Sequence, residues 1–314
     1  KNAAGDILKL HAKDTVLATG GIGGLYKHST NFPSLTGDGL DVAKKHGVRL
    51  EHLDYVQIHP TSLYSKKPGR SFLISESTRG EGAVLLNGKG ERFVDELLPR
   101  DVVTQAIEKE MEKEGSAHVW LSFKAVPEET IRNHFPHIYE ECLKEGYDIT
   151  KEPAPVVPAQ HYFMGGIYVD HFSETTMDHL YAVGETSCNG VHGKNRLASN
   201  SLLEALVFSR LIAEDITKNR REDDRVCVEY PMSSPEGKPL PHGIRTEIRH
   251  IMQKAYFIKP NYEEAEKGLA RIKELKDQVY NGGYEITSDF VETKSLVTVA
   301  YIILTEVLER KDKE

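Results

Sequence analysis

Apolar positions along the chain change their spacing several times, and each change predicts an element. Ile7, Leu8 and Leu10 follow a turn over residues 2–6, and Asp14-Thr15-Val16-Leu17-Ala18-Thr19 then runs as a short apolar segment into glycines. Residues 1–19 therefore read as a hairpin containing a buried strand. Helical spacing follows Thr36-Gly37-Asp38-Gly39, with Asp38 as N-cap and Gly47 as the glycine past the C-terminus. Val102, Val103, Ala106, Ile107 and Met111 predict a helix over 101–114, and the prolines at 153, 155 and 158 predict a break in regular structure. Strand-like segments return between 167 and 185. Leu202, Leu203, Leu206, Leu211 and Ile212 predict a helix over 202–216, its start marked by the capping-box string Ser201-Leu202-Leu203-Glu204. A polar connection over 217–240 leads to two further stripes: Ile244, Ile248, Ile251, Met252 and Ala255, then the stretch 296–308. These read as a small helical bundle.

Length and charge narrow the class. A chain of 314 residues can hold two or three packed units. Its net charge of −8 lacks the basic footprint of a nucleic-acid binder. No apolar run approaches the ~20 residues of a membrane span. Cys142, Cys188 and Cys227 are scattered, with no C-x-x-C pair. That pattern argues against a disulfide framework or a Cys-rich metal site and fits a reducing, cytoplasmic setting. The chain begins at Lys1 with no signal-peptide pattern, in what reads as the middle of a domain, so the expectation is a truncated chain.

Four groups of residues carry candidate chemistry. Thr19-Gly20-Gly21-Ile22-Gly23-Gly24 follows a strand, where glycines let a backbone approach a ligand; a tight strand exit accounts for them equally well. Glu185 ends the strand-like Leu180-Tyr181-Ala182-Val183, where α/β sheets bind ligands, although a solvated loop acid is the simpler reading. His192 to Ser201 places Arg196 and several small polar residues just before a helix N-terminus. Such an end offers free N–H donors and partial positive charge, and an arginine beside it can grip a carboxylate bidentately. The last group is His59-Pro60-Thr61, residues 75–82, Pro99-Arg100-Asp101 and residues 161–166; individually these are ordinary, and Arg79 and Glu81 could simply pair with each other. There is no H-E-x-x-H or other zinc-ligand spacing, no G-x-S-x-G elbow and no G-x-G-x-x-G fingerprint in the chain.

Taken in order, these strings resemble one family. Val16 to Gly21, Thr36-Gly37-Asp38-Gly39, His59-Pro60-Thr61, Arg79-Gly80-Glu81-Gly82, Pro99-Arg100-Asp101, His161 to Gly166 and His192 to Leu203 look like the fumarate reductase, succinate dehydrogenase and L-aspartate oxidase flavoproteins. Ala198-Ser199 and Pro99 look like the oxidase branch, because the dehydrogenase subunits show Gly-Gly at the first place and lack the proline at the second.

The resemblance implies an α/β fold with an α+β cap. A partial Rossmann-like FAD-binding domain would comprise residues 1–53 and 163–222, with a capping domain, 54–162, inserted and a helical domain over 223–314. It implies FAD as cofactor, with Gly20, Gly21, Asp38, Glu185, Asn200, Ser201 and Leu202 on the cofactor side. It implies a dicarboxylate clamp of His59, His161 and Arg196, further substrate contacts from Ser75 and Glu76, and Arg100 as the cap arginine. No metal is implied. The implied reaction is oxidation of L-aspartate to iminoaspartate with oxygen or fumarate as acceptor. This is the first step of quinolinate and NAD synthesis, with quinolinate synthase as an implied partner. The alternatives are a fumarate reductase or succinate dehydrogenase subunit, or an inactive fragment needing its N-terminal half. The short loop 92–98 and the chain's end at Glu314 depart from the family pattern.

Overall fold

The computed structural model describes residues 11–67, 69–218 and 237–311. The first strand of the expected hairpin and most of the polar connection lie outside the described residues. In chain order the elements are β1 (Thr15–Leu17), α1 (Asp38–Lys45), β2 (Leu50–Glu51), β3 (Val56–Leu63), α2 (Glu76–Gly80), β4 (Val84–Leu86) and α3 (Arg100–Glu114). Then come β5 (Val119–Ser122), α4 (Glu128–His134), α5 (Pro136–Lys144), β6 (Ala154–Phe163), β7 (Gly166–Tyr168), β8 (Leu180–Ala182) and β9 (Ser187–Cys188). Four helices close the chain: α6 (Asn200–Lys218), α7 (Ile244–Ala255), α8 (Tyr262–Asn281) and α9 (Ser288–Lys311).

The fold is α/β with a helical C-terminal part. β1 pairs in parallel with β8; β7 joins β2 and β9; and β3, β6, β5 and β4 form an antiparallel sheet in that order. Two apolar cores organise these layers. One draws only on residues between Leu63 and Val156, on the inserted sheet and its helices. The other joins Ile22 to Ile58, Phe163 to Ala182 and the terminal helices in a single cluster. The stripe predicted for α7 is buried at Ile244, Ile248, Met252 and Ala255, where it meets α8 and α9. Burial of one such side chain stabilises by roughly 1.5–3 kcal/mol, so this stripe alone outweighs the weak intrinsic propensity of a short helix. No helix among the described residues is long and apolar enough to cross a membrane.

Several local expectations are corrected. β1 is not a buried strand: Thr15 and Val16 are exposed, and it pairs in parallel with β8. Asp38 is the first residue of α1 and not its cap; Gly37, in the left-handed region, takes the cap position, and Asp38 accepts from the Thr36 hydroxyl at 2.7 Å. Gly47 does lie past the helix end at φ 74°. In α3 the buried positions are Val103, Thr104, Ile107 and Glu110, while Val102 faces outward.

The prolines at 155 and 158 do not end regular structure, because β6 runs through both. Pro155 keeps its register partner Trp120, and Pro158 falls at the irregularity where pairing skips from His59/Ala159 to Ser62/Val157. A strand tolerates proline where no ladder N–H is required. The same irregularity lets Pro60 sit inside β3, and so fixes the course of the backbone beside His59.

Candidate active site

β3 and β6 are paired neighbours, and they bring together two histidines that lie far apart in sequence. The rings of His59 and His161 stand edge to face with centroids 5.4 Å apart. His59 is almost wholly buried, and the amide of Thr61 donates to its Nδ1 at 3.2 Å. Since an amide can only donate, Nδ1 is the acceptor and Nε2 carries the hydrogen of the neutral ring. Burial, followed by the nearby His161, Arg100 and Arg79, holds His59 well below the usual imidazole range. Burial, then Arg196, Arg100 and Arg70, lowers His161 to about 4. Both rings are therefore neutral at neutral pH, because burial in a cationic setting disfavours the charged form.

A cavity of about 760 Å³ opens beside these rings, and His59, Ser75, Glu76, Arg100, His161, Glu185, Arg196 and Ser201 all line it. Arg100 enters from the first turn of α3. Its Nε donates to Glu76 Oε2 at 2.7 Å, and its Nη1 donates to Gln57 Oε1 at 3.3 Å. Glu76 is thus engaged by Arg100 at the edge of the cavity that it also lines. Ser75 caps α2, accepting from the Ser77 amide. Arg79 does not pair with Glu81; its Nη1 donates to the carbonyl of Glu96.

Arg196 reaches the cavity from the loop before α6. Only 5% of it is exposed, and its guanidinium lies 4.4 Å over the Tyr162 ring. Its Nη1 donates to Leu197 O at 3.1 Å, while its buried Nε has no partner. Gln57 links the two arginines, since its Nε2 donates to Asn195 Oδ1 and to Arg196 O, both at 2.8 Å. Beneath Tyr162 sits Glu204. It accepts from the Tyr162 hydroxyl at 2.6 Å and from Asn189 at 2.8 Å, and it pairs with His192 at 2.9 Å. The expected capping box is therefore not formed, because these long-range donors occupy the Glu204 carboxylate. α6 also starts two residues earlier than predicted, at Asn200, after Ser199 in the left-handed region. Its predicted apolar face is only partly covered: Ile212 is buried, whereas Leu202, Leu203 and Leu206 are exposed.

The chain matches the family model described as FAD binding domain over residues 2–202. This chain belongs to the FAD-binding family that includes the L-aspartate oxidases. Its sequence is 58% identical over 216 residues to the L-aspartate oxidase of Clostridium perfringens, covering 68% of this chain and 49% of that protein. It is 39% identical to that of Yersinia pestis, covering 96% of this chain and 59% of the other. Among solved structures, a quinol-fumarate reductase with menaquinol molecules matches with a TM-score of 0.82 at 31% identity, covering 94% of this chain and 59% of that one. The E. coli quinol fumarate reductase FrdA matches with a TM-score of 0.80 at 30% identity, covering 95% and 58%. The chain thus spans about half to three-fifths of the length of these relatives.

FAD is the cofactor of the family, and residues on one wall of the cavity fit its flavin end. A Cβ at Gly21 would lie 2.4 Å from Glu185 Oε1, so only glycine lets that backbone lie against the acid. Glu185 is half-buried and accepts from the Phe163 amide at 2.9 Å; loss of solvation raises its carboxyl to about 7. A carboxyl so placed can hold a hydroxyl in either ionisation state. Ala198, Ser199 and Ser201 bring the start of α6 to the same cavity, where helix N–H donors favour negative charge. Gly20, Gly21, Asp38, Asn200 and Leu202 do not line it, although Gly21 lies against Glu185, which does. Sequence reasoning missed Gln57, Thr30 and Asn31; Tyr162 stood in a candidate string without a role, and Glu204 was read only as part of a capping box. Gln57 lies two positions before His59, and strand alternation was the available signal.

Proposed function

We propose that the protein of which this chain forms part oxidises L-aspartate to iminoaspartate with FAD, passing electrons to oxygen or fumarate. The observation that carries this reading is the convergence of His59, His161, Arg100 and Arg196 on one cavity. A four-carbon diacid needs cationic or donor groups at both ends. Arg196 has donors left over after its bond to Leu197, and can take one carboxylate bidentately. His59 offers Nε2–H as a neutral donor. Arg100, held by Glu76 and Gln57, supplies positive charge near the reacting carbon but cannot act as a base, because guanidinium keeps its protons. FAD, when bound, supplies the acceptor for the hydride leaving Cα. Fixing both carboxylates orients that C–H bond, and orientation of this kind is worth up to roughly 7–11 kcal/mol.

Gly21, Glu185, Ser201 and the start of α6 would hold the flavin end. The relatives named L-aspartate oxidase support this substrate. The fumarate reductase neighbours favour a second reading, a fumarate- or succinate-converting flavoprotein. Turnover of aspartate and of succinate by the full-length FAD-loaded enzyme separates the two; faster oxidation of succinate would reject the first. We further propose that the product passes to quinolinate synthase on the route to NAD, in the cytoplasm.

A further inference from the structure

The loop over residues 28–33 is fastened to β6 more tightly than a connecting loop requires. The amide of Gln160 donates to His28 O, and the amide of Thr30 donates to Gln160 O, both at 2.9 Å. Ser29 Oγ donates to Gln160 Oε1 at 2.7 Å, and Asn31 Nδ2 donates to Gln160 Oε1 and to His161 O. From the other side, Arg249 on α7 donates to Gly24 O and Arg245 to Pro33 O. Thr30 is buried in the middle of this arrangement, and its hydroxyl lies 2.8 Å from Nδ1 of His161.

We propose that Thr30 is a positioning residue for the substrate clamp: its hydroxyl donates to Nδ1 of His161, which turns that ring's Nε2–H into the cavity as a donor to a substrate carboxylate. The proposal rests on the dicarboxylate reading above. The hydroxyl has one hydrogen and two acceptors within reach. Gln160 O is the farther, at 3.3 Å, and already receives the Thr30 amide. The imidazole nitrogen is closer and has no other partner in the described structure. The opposite tautomer would aim the Nε2 lone pair at the place where an anion binds, and two acceptors facing each other repel. The result would match His59, whose Nδ1 is capped by the Thr61 amide. Each histidine would then have a threonine donor behind it and the same N–H in front. A ring nitrogen left unpaired in this buried setting would lose its solvation without replacement.

The test uses the full-length FAD-loaded enzyme with Thr30→Val, which removes the hydroxyl at nearly constant volume, and Thr30→Ser, which keeps it. Succinate, titrated by the change in flavin absorbance, should bind roughly tenfold more weakly to the Val variant and within about twofold of wild type to the Ser variant. Nitrogen NMR of histidine-labelled protein, with the His161 signals assigned through their loss in His161→Asn, should show hydrogen on Nε2 in wild type and in Thr30→Ser. A wild-type ring protonated on Nδ1 overturns the proposal, as does a Val variant that binds succinate as tightly as wild type. If wild type does not bind succinate at all, the dicarboxylate reading fails, and the NMR result alone decides the assignment of Thr30.

Discussion

Arg196→Ala separates substrate grip from cofactor grip. The guanidinium is almost wholly buried, stacked on Tyr162, and spends one N–H on the carbonyl of Leu197. Its other donors are available to a carboxylate. Two charge-assisted hydrogen bonds at about 1.5–3 kcal/mol each give a loss of roughly 3–6 kcal/mol. At about 1.4 kcal/mol per factor of ten, that is a fall in kcat/KM for aspartate of at least a hundredfold. FAD affinity should change by less than about tenfold, because Arg196 acts on the cofactor side only through its charge near Glu185. Arg196→Lys keeps the charge but loses the planar fork, so it should recover only part of the loss. Steady-state kinetics with aspartate, beside fluorescence titration of FAD, measures both quantities on one preparation. Equal losses in turnover and FAD affinity, or full recovery by lysine, would refute the bidentate clamp.

Gly165→Ala would bring a Cβ to 1.9 Å from the carbonyl of His52, a backbone atom that cannot swing aside. Chemical denaturation should show a loss of at least about 2 kcal/mol, and a midpoint equal to wild type would contradict the close approach. Glu204→Leu strands the donors of Tyr162, Asn189 and His192 in the interior. It should cost about 3–5 kcal/mol, and Glu204→Gln, which keeps an acceptor, clearly less; equal melting temperatures for the two variants would exclude the network. Glu185→Gln tests ionisation. Burial raises the Glu185 carboxyl from 4.5 to about 7, so the folded state holds its proton where the unfolded chain has lost it. Wild type is therefore spared the cost of a buried charge below its unfolded value and bears it fully above 7, on the order of 3 kcal/mol. Urea midpoints of wild type should fall relative to Glu185→Gln as pH rises from 5 to 8; parallel profiles would show an acid that ionises freely.

What could be read from the sequence was local or carried by strings of residues in order. The α7 stripe followed from helical spacing alone, and Gly47 from the need for a left-handed residue past a helix end. His59, His161, Arg100 and Arg196 came from the ordered motifs, and the cavity brings all four together. The failures share a cause: partners distant in sequence override local rules. Ser201-Leu202-Leu203-Glu204 has the form of a capping box, but Tyr162, 42 positions away, claims the carboxylate. Pro155 and Pro158 read as breakers, yet β6 holds them at positions where its neighbours ask for no N–H. Nothing nearby in sequence announced that Glu76 pairs with Arg100, 24 positions on. Thr30 carried no signal, since a threonine in a loop is uninformative until the strand it faces is known.

The neutrality of the histidine pair follows first from burial and then from the charge already present. Arg100, Arg196 and Arg79 all stand close enough to depress His59 or His161, and Glu76 offsets chiefly Arg100. A protonated histidine would add charge to a buried site that already holds an excess, and would have to be desolvated to do so. A neutral N–H delivers a donor at the required place without that cost. The arrangement lets arginines carry the charge match to a dianion while histidines fix its direction, which is why the backbone irregularities at Pro60 and Pro158 matter as much as the side chains. They determine where the two rings stand, and a ring displaced by an ångström would leave its N–H pointing past the carboxylate.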